Sequence, residues 1–140
     1  MPAFLSLTLL WLLPLGAMAT SPDGALNPGM VNPGYEDKPA WFKQSFLDLR
    51  EDVAEAAGQG RRVLLYFYQD GCPYCTKLLR EGFGDQEIAS LTRSGFDVIA
   101  VNLWGDRDVT GLQGEATTEK AFAAGLKVQY TPTMLMLDEA

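Results

Sequence analysis

The most informative segment of the sequence is Val63-Leu64-Leu65-Tyr66-Phe67-Tyr68-Gln69-Asp70-Gly71-Cys72-Pro73-Tyr74-Cys75. Its first six residues form a continuous apolar and aromatic run, which predicts a buried β-strand over 62–68. Beyond Cys75, apolar side chains recur at helical spacing, so a helix is expected to run to about Phe83. A C-x-x-C motif at the junction of a buried strand and a helix is typical of thiol–disulfide redox chemistry.

Cys72 and Cys75 are the two cysteines of the chain. Residues three apart share one face of a helix, so the two sulfurs can meet and form a disulfide. Cys72 is expected at the helix N-terminus, where free N–H groups and the helix dipole stabilise a thiolate. Cys72 is therefore the predicted attacking sulfur and Cys75, one turn further on, the resolving thiol.

Length and composition narrow the classes of function. The 140 residues suffice for one domain, and the net charge of −7 gives no support for nucleic-acid binding. The chain contains no histidine, which excludes Ser-His-Asp and Cys-His catalysis and histidine-ligated metal sites. We expect no metal and no cofactor other than the Cys72–Cys75 disulfide.

The N-terminal residues are predicted to lie outside the folded domain. An apolar run over 4–15 followed by Ala17-Met18-Ala19 is typical of a secretory signal peptide, residues 1–19, which would place the protein in the periplasm. Prolines and glycines over 20–37 indicate a linker. The domain is therefore expected to cover 38–140.

Five further elements are predicted along the domain. The first is an amphipathic helix from Pro39 to Gly58 or Gly60, with Phe42 and Phe46 in its apolar stripe. The second is a helix that is capped by Asp85 and ends at Gly95, with Ile88 and Leu91 facing inward. The others are a strand over 96–103, a short helix from Thr117 or Thr118 to Gly125, and a strand over 133–137. Residues 104–114 are expected to form a loop. A helix between two apolar strands predicts a parallel βαβ unit.

The strand over 133–137 is apolar, and three residues follow it in the sequence. No further strand or helix can form in so short a segment, so this edge strand would be left unpaired and one sheet face uncovered. We therefore expect the sequence to be a C-terminally truncated part of a longer protein.

The chain resembles the thioredoxin superfamily, and within it the exported SoxW-like thioredoxins. The resemblance depends on Tyr66 to Cys75, on Val101-Asn102-Leu103-Trp104-Gly105-Asp106 and on Tyr130-Thr131-Pro132-Thr133. It implies an α/β, three-layer thioredoxin-like fold with a central mixed sheet that lacks its last strand and helix. It also implies that Cys72 is the nucleophile, that Cys75 resolves, and that Pro132 is cis and packs against the disulfide.

The same resemblance suggests a substrate-binding face beside the cysteines. Its residues would be Pro73, Tyr74, Trp104, Thr131 and Pro132, with the backbone of Thr131 free to pair with an extended substrate segment.

Three features depart from the usual pattern of thioredoxins. Gly71 stands where a tryptophan usually precedes the first cysteine, and Tyr66 stands at the position of the usual buried aspartate. A proton relay would then have to use Tyr66, Glu81 or water. The Pro73–Tyr74 pair between the cysteines is that of glutaredoxins.

The favoured function is that of an exported thiol–disulfide oxidoreductase that reduces periplasmic protein disulfides. Its partners would be disulfide-containing exported proteins and a membrane electron donor of the thiol-reducing type, and it would act as a monomer. A disulfide-forming oxidase of the same fold is one alternative. A thiolate metal-binding protein is another, although zinc needs two further ligands. An interaction module with an inactive disulfide is the third.

Overall fold

The computed structural model describes residues 35–138. In chain order its elements are α1 (Leu49–Gly58), β1 (Arg62–Tyr68), α2 (Pro73–Lys77), a π-helical turn (Leu78–Gly82), α3 (Gln86–Gly95), β2 (Phe96–Asn102), β3 (Asp108–Thr110), β4 (Ala116–Thr118), α4 (Glu119–Gly125) and β5 (Thr133–Leu137). Within this part of the chain, no helix has the length and apolar character needed to cross a membrane. The predicted signal peptide and residues 20–34 of the predicted linker lie outside the described residues.

A mixed sheet forms the centre of the fold, with strand order β2-β1-β5. β1 pairs with β2 in parallel, with Tyr66 opposite Ala100. β5 pairs antiparallel on the other side of β1, with Tyr66 opposite Met134. The predicted parallel βαβ unit and the predicted mixed sheet are both confirmed.

Side chains of β1 alternate between two cores because successive residues of a strand point to opposite faces. Val63, Leu65 and Phe67 belong to a cluster that α1 and α4 complete. Leu64 and Tyr66 belong to a second cluster, which contains both cysteines and Leu79. Helices thus cover both faces of the sheet, and the α/β three-layer architecture is the predicted one.

Two predicted helix caps are confirmed. The Asp85 carboxylate accepts hydrogen bonds from the backbone N–H groups of Glu87 and Ile88 at the start of α3. The Thr118 hydroxyl accepts from Ala121 N at the start of α4. Such caps satisfy N–H groups that have no partner inside the helix.

The helix predicted from Pro39 begins only at Leu49. Phe42 is buried, but Phe46 is fully exposed, so the predicted apolar stripe is wrong at that position. Leu47 has a φ of 63°, a left-handed conformation that is incompatible with a continuous α-helix. The Asp48 carboxylate then accepts from Arg50 N and Glu51 N and starts α1.

Two other predictions need correction. The segment predicted as a loop, 104–114, contains strand β3, which pairs antiparallel with β4 just beyond that segment, with Val109 opposite Thr117. Ile88 and Leu91 do not face inward; both are exposed on α3, which packs chiefly against β2.

β5 lies at one edge of the sheet formed by residues 35–138. Leu135 and Leu137 pack against the core that contains α1 and α4. Met134 and Met136 point to the opposite face, the one that carries the cysteines, and both are exposed.

Candidate active site

The cysteine pair lies where the chain leaves β1 and enters α2. Gly71 has a φ of +72°, a left-handed conformation that glycine adopts without strain. This turn gives a physical reason for glycine in place of tryptophan before the first cysteine. Cys72 is the N-cap of α2, and Pro73 follows at the first turn, where its missing N–H costs no helical hydrogen bond.

Cys72 and Cys75 form a disulfide, with their Cα atoms 5.2 Å apart. Cys72 is 9% exposed and Cys75 is 4% exposed, so Cys72 is the more accessible of the two. The backbone N–H of Cys75 donates to Cys72 Sγ over 3.2 Å. A donor aimed at Cys72 Sγ favours negative charge on that sulfur, because hydrogen bonds to the charged form stabilise it.

Thr131 approaches Cys72 from the segment before β5. Its hydroxyl lies 3.3 Å from Cys72 Sγ, and its carbonyl oxygen lies 3.6 Å from the same sulfur. The Thr131–Pro132 peptide bond is cis, as the sequence resemblance implies. Two residues that are 59 apart in sequence therefore meet at the sulfur.

Gln69 is a site residue that the sequence reasoning missed. Its Nε2 donates to Thr131 Oγ1 over 2.8 Å, and its Oε1 accepts from Trp104 Nε1 over 3.0 Å. Gln69 follows β1 directly and Trp104 follows β2 by two residues, so the carboxyl ends of two parallel strands bring them together. No local pattern could reveal these contacts, which join residues 62 and 35 positions apart.

Glu119 is a second residue that the sequence reasoning missed. Only 1% of it is exposed, and it lies beneath the loop that carries Trp104. Its Oε1 accepts from Asn102 N over 2.9 Å and from the Arg107 guanidinium over 2.6 Å, and its Oε2 accepts from Arg107 N over 3.3 Å. A side chain at Gly105 would collide with the carboxylate, so the loop closes tightly over it.

Three of the other predicted substrate-face residues are exposed on the surface. Pro73 and Tyr74 are exposed at the start of α2, and Tyr74 is among the most exposed large side chains of the described residues. Trp104 is exposed as well, with the Lys120 ammonium 5.4 Å from its ring centre. Pro73 and Tyr74 lie between the two cysteines in sequence, and Thr131, which forms the cis bond with Pro132, contacts Cys72 Sγ. Gln69 links Trp104 to Thr131.

Tyr66 lies under the disulfide in the same buried cluster as both cysteines. Its hydroxyl has no hydrogen-bond partner among residues 35–138, and burial raises its pKa to about 12. Glu81, the other side chain considered for a proton relay, is on the surface with the Lys77 ammonium 3.8 Å away. Glu81 is therefore not placed to exchange protons with Cys75.

Lys38 is a charged group near the disulfide that no pattern in the sequence singles out. Its ammonium lies 3.8 Å from the centre of the Tyr68 ring, a cation–π distance. Partial burial lowers its pKa, although the negative charge of Asp70 acts in the opposite direction. Lys38, Asp70 and both cysteines line one small cavity of about 10 Å³.

A larger groove of about 410 Å³ borders Trp104 and is lined by residues of α4 and the segment after it, but by neither cysteine. Within residues 35–138, no three Cys, Asp or Glu side chains are grouped so that they could hold a metal ion. Trp104 borders this groove and, through its hydrogen bond to Gln69, also belongs to the hydrogen-bond network at Cys72.

Comparison with known families identifies the class of protein. The model of the thioredoxin-like domain family matches residues 49–140, so the chain belongs to that family. A solution structure of a thioredoxin from Thermus thermophilus is similar, with 27% identity, 65% of this chain and 62% of that chain covered, and a TM-score of 0.48. The chain thus spans less than two thirds of that thioredoxin. Comparison with curated proteins finds no match.

Proposed function

We propose that this protein is an exported thiol–disulfide oxidoreductase that reduces disulfides of periplasmic proteins through Cys72 and Cys75. The observation that carries the proposal is the environment of Cys72 Sγ, at which two donors, Cys75 N–H and the Thr131 hydroxyl, are aimed. These donors stabilise a thiolate, which is the form of cysteine that attacks disulfides. Membership of the thioredoxin-like domain family supports the same chemistry.

The reaction begins from the reduced dithiol. The Cys72 thiolate attacks one sulfur of the substrate disulfide, and the other substrate sulfur leaves as a thiolate and takes up a proton. Cys75 then loses its proton and attacks Cys72 Sγ, which releases the second substrate thiolate. The substrate gains two electrons, and the enzyme is left with the Cys72–Cys75 disulfide seen in the structure.

The exposed residues around the disulfide would hold the substrate during these steps. An extended substrate segment pairs with the backbone at Thr131, next to Pro132, while Pro73, Tyr74 and Trp104 contact its side chains. The partly exposed Thr131 lies two residues before the edge strand β5, which supports recognition by strand addition.

In this proposal the protein is exported, and its Cys72–Cys75 disulfide is reduced again after each reaction. The apolar run over 4–15 with Ala17-Met18-Ala19 supports cleavage after Ala19 and a periplasmic location. A membrane electron donor of the thiol-reducing type returns two electrons to the disulfide. The Trp104-Gly105-Asp106 loop and the motifs around both cysteines support a place among the SoxW-like thioredoxins.

Reduction of insulin by the dithiol-regenerated protein tests the activity. We expect turnover by the natural sequence and none by Cys72→Ser or Cys75→Ser. A folded, reduced protein that leaves insulin disulfides intact would contradict the proposal and favour an interaction module. A redox titration of the Cys72–Cys75 pair against glutathione then distinguishes a reductase from an oxidase, and a zinc titration of the reduced protein tests the metal-binding alternative.

A further inference from the structure

We propose that Gln69 is a positioning residue that, held by Trp104, orients the Thr131 hydroxyl so that its proton points at Cys72 Sγ. The three residues and the sulfur form one hydrogen-bonded relay. This inference rests on the proposed function, because it assigns a role in activating the Cys72 nucleophile. Gln69 lies within the segment Tyr66 to Cys75, but the sequence assigns it no role, so its role follows from the contacts in the structure.

The relay has three links of ordinary hydrogen-bond length. Trp104 Nε1 lies 3.0 Å from Gln69 Oε1, Gln69 Nε2 lies 2.8 Å from Thr131 Oγ1, and Thr131 Oγ1 lies 3.3 Å from Cys72 Sγ. The last distance suits a sulfur acceptor, because sulfur has a larger radius than oxygen.

The direction of the relay follows from the chemistry of its first member. An indole N–H can only donate, so the Gln69 atom that faces Trp104 must be the amide oxygen. The Gln69 amide nitrogen must then face Thr131, and it too can only donate. Thr131 Oγ1 consequently accepts from Gln69, and its single proton is left to point at Cys72 Sγ.

The relay is anchored on rigid parts of the fold. Gln69 follows β1, Trp104 follows β2 and Thr131 precedes β5, so three neighbouring strands fix their relative positions. The backbone N–H of Trp104 also donates to Asn102 Oδ1 over 3.0 Å. A pre-positioned hydroxyl does not have to be reoriented when charge develops on the sulfur.

A donor oriented in this way favours the thiolate over the thiol, since hydrogen bonds to charged acceptors are the stronger ones. The relay should therefore make Cys72 more acidic and more reactive at neutral pH. Loss of Gln69 should weaken the effect without removing any atom that touches the sulfur. This separates a positioning role from direct contact.

The test measures the pKa of Cys72 from thiolate absorbance in the full chain carrying Cys75→Ser. We expect Thr131→Val to raise this pKa by about one pH unit, and Gln69→Leu to raise it by about half as much. In the Thr131→Val background, Gln69→Leu should cause no further change. Thr133→Val is the matched control, because that hydroxyl donates to Tyr130 O and not to sulfur.

Two further variants keep the test decisive if Gln69→Leu does not fold. Trp104→Phe retains an aromatic ring without the N–H and should raise the pKa in the same direction, whereas Thr131→Ser retains the hydroxyl and should preserve it. An unchanged pKa in both Gln69→Leu and Trp104→Phe would overturn the proposal. It would also be overturned if Gln69→Leu shifted the pKa equally with Thr131 intact and in the Thr131→Val background.

The outcome is independent of the proposed activity, since the pKa measurement uses no substrate. If the protein fails to reduce insulin but shows the predicted coupling between Gln69 and Thr131, the result supports the relay and contradicts the proposed function. The opposite result, insulin turnover without coupling between Gln69 and Thr131, would support the proposed function and contradict the relay.

Discussion

Glu119 and Arg107 form an ion pair beneath the loop that carries Trp104, with 2.6 Å between Glu119 Oε1 and Arg107 Nη2. The carboxylate side chain is 2% exposed and the guanidinium side chain about half exposed. Partial burial disfavours the guanidinium charge, but hydrogen bonding to Glu119 and its negative charge outweigh this and raise the pKa of Arg107. The same carboxylate binds the backbone at Asn102 and Arg107, so it holds both ends of the loop.

We expect Glu119→Gln to destabilise the protein by about 2 kcal/mol, because one buried acceptor becomes a donor that faces other donors. Urea unfolding should show a lower midpoint with an unchanged slope. Glu81→Gln is the matched control, since Glu81 is exposed and lies 3.8 Å from the ammonium of Lys77 at the surface. Equal midpoints for the two variants would show that Glu119 is not structurally important.

Gly71→Ala should destabilise the protein by about 1–2 kcal/mol, the cost of a left-handed conformation for a residue with a side chain. No atom lies within 4 Å of the position that the new Cβ would occupy, so backbone strain is the expected cause. The urea midpoint measures the effect.

Gly58→Ala provides the control for Gly71→Ala. Its Cβ would also meet nothing within 4 Å, but Gly58 is the last residue of α1 and does not have a positive φ. Alanine there should stabilise the protein by about 0.5–1 kcal/mol. Opposite signs for the two substitutions are expected, and equal signs would contradict the strain argument.

The parts of the fold that depend on local sequence were predictable. β1, β5 and the caps at Asp85 and Thr118 follow from apolar runs and capping residues, and they lie where the sequence predicts them. The start of α1 was also encoded locally, since Asp48 followed by Glu51 is a capping pattern. It was missed because Phe42 and Phe46 continued the helical periodicity.

The rest depended on contacts between distant residues. The exposure of Ile88 and Leu91 depends on which side of α3 meets β2, and their spacing alone cannot indicate this. Gln69 and Glu119 are ordinary polar residues in the sequence, and their roles arise only when strand ends and loops meet. The cysteine pair, by contrast, is identifiable from the sequence by its C-x-x-C motif, its spacing and its position between a predicted strand and a predicted helix.

Tyr66→Phe should stabilise the protein by about 1 kcal/mol at neutral pH. The substitution removes a buried hydroxyl that has no hydrogen-bond partner within residues 35–138 and keeps the ring that packs in the core. Chemical unfolding of the oxidised protein measures the difference. The exposed Tyr130 gives the control variant Tyr130→Phe, for which no change is expected.

The same substitution should alter the stability at alkaline pH. Burial raises the pKa of Tyr66 from 10.0 to about 12, so between these values the folded state holds a proton that the unfolded state has lost. The natural sequence therefore loses stability as the pH rises through this range, and Tyr66→Phe should lose less. Burial also raises the pKa of Tyr68 to about 12, so Tyr68 contributes to the pH dependence of stability in both proteins. Identical slopes for the two proteins would show that Tyr66 does not titrate as its burial requires.

Cys75→Ser should accumulate mixed disulfides with exported proteins, whereas Cys72→Ser should not. Cys72 is the more exposed cysteine and its sulfur receives hydrogen bonds from Cys75 N–H and Thr131, so it is the expected attacking group. Without Cys75, the intermediate has no internal thiol to resolve it and persists. Non-reducing gels of periplasmic extracts, with and without added dithiol, measure the trapped species. The double variant Cys72→Ser/Cys75→Ser is the control for non-covalent association. Equal trapping by the two single variants would mean that either sulfur can attack, which would contradict the roles inferred from the donors at Cys72 Sγ.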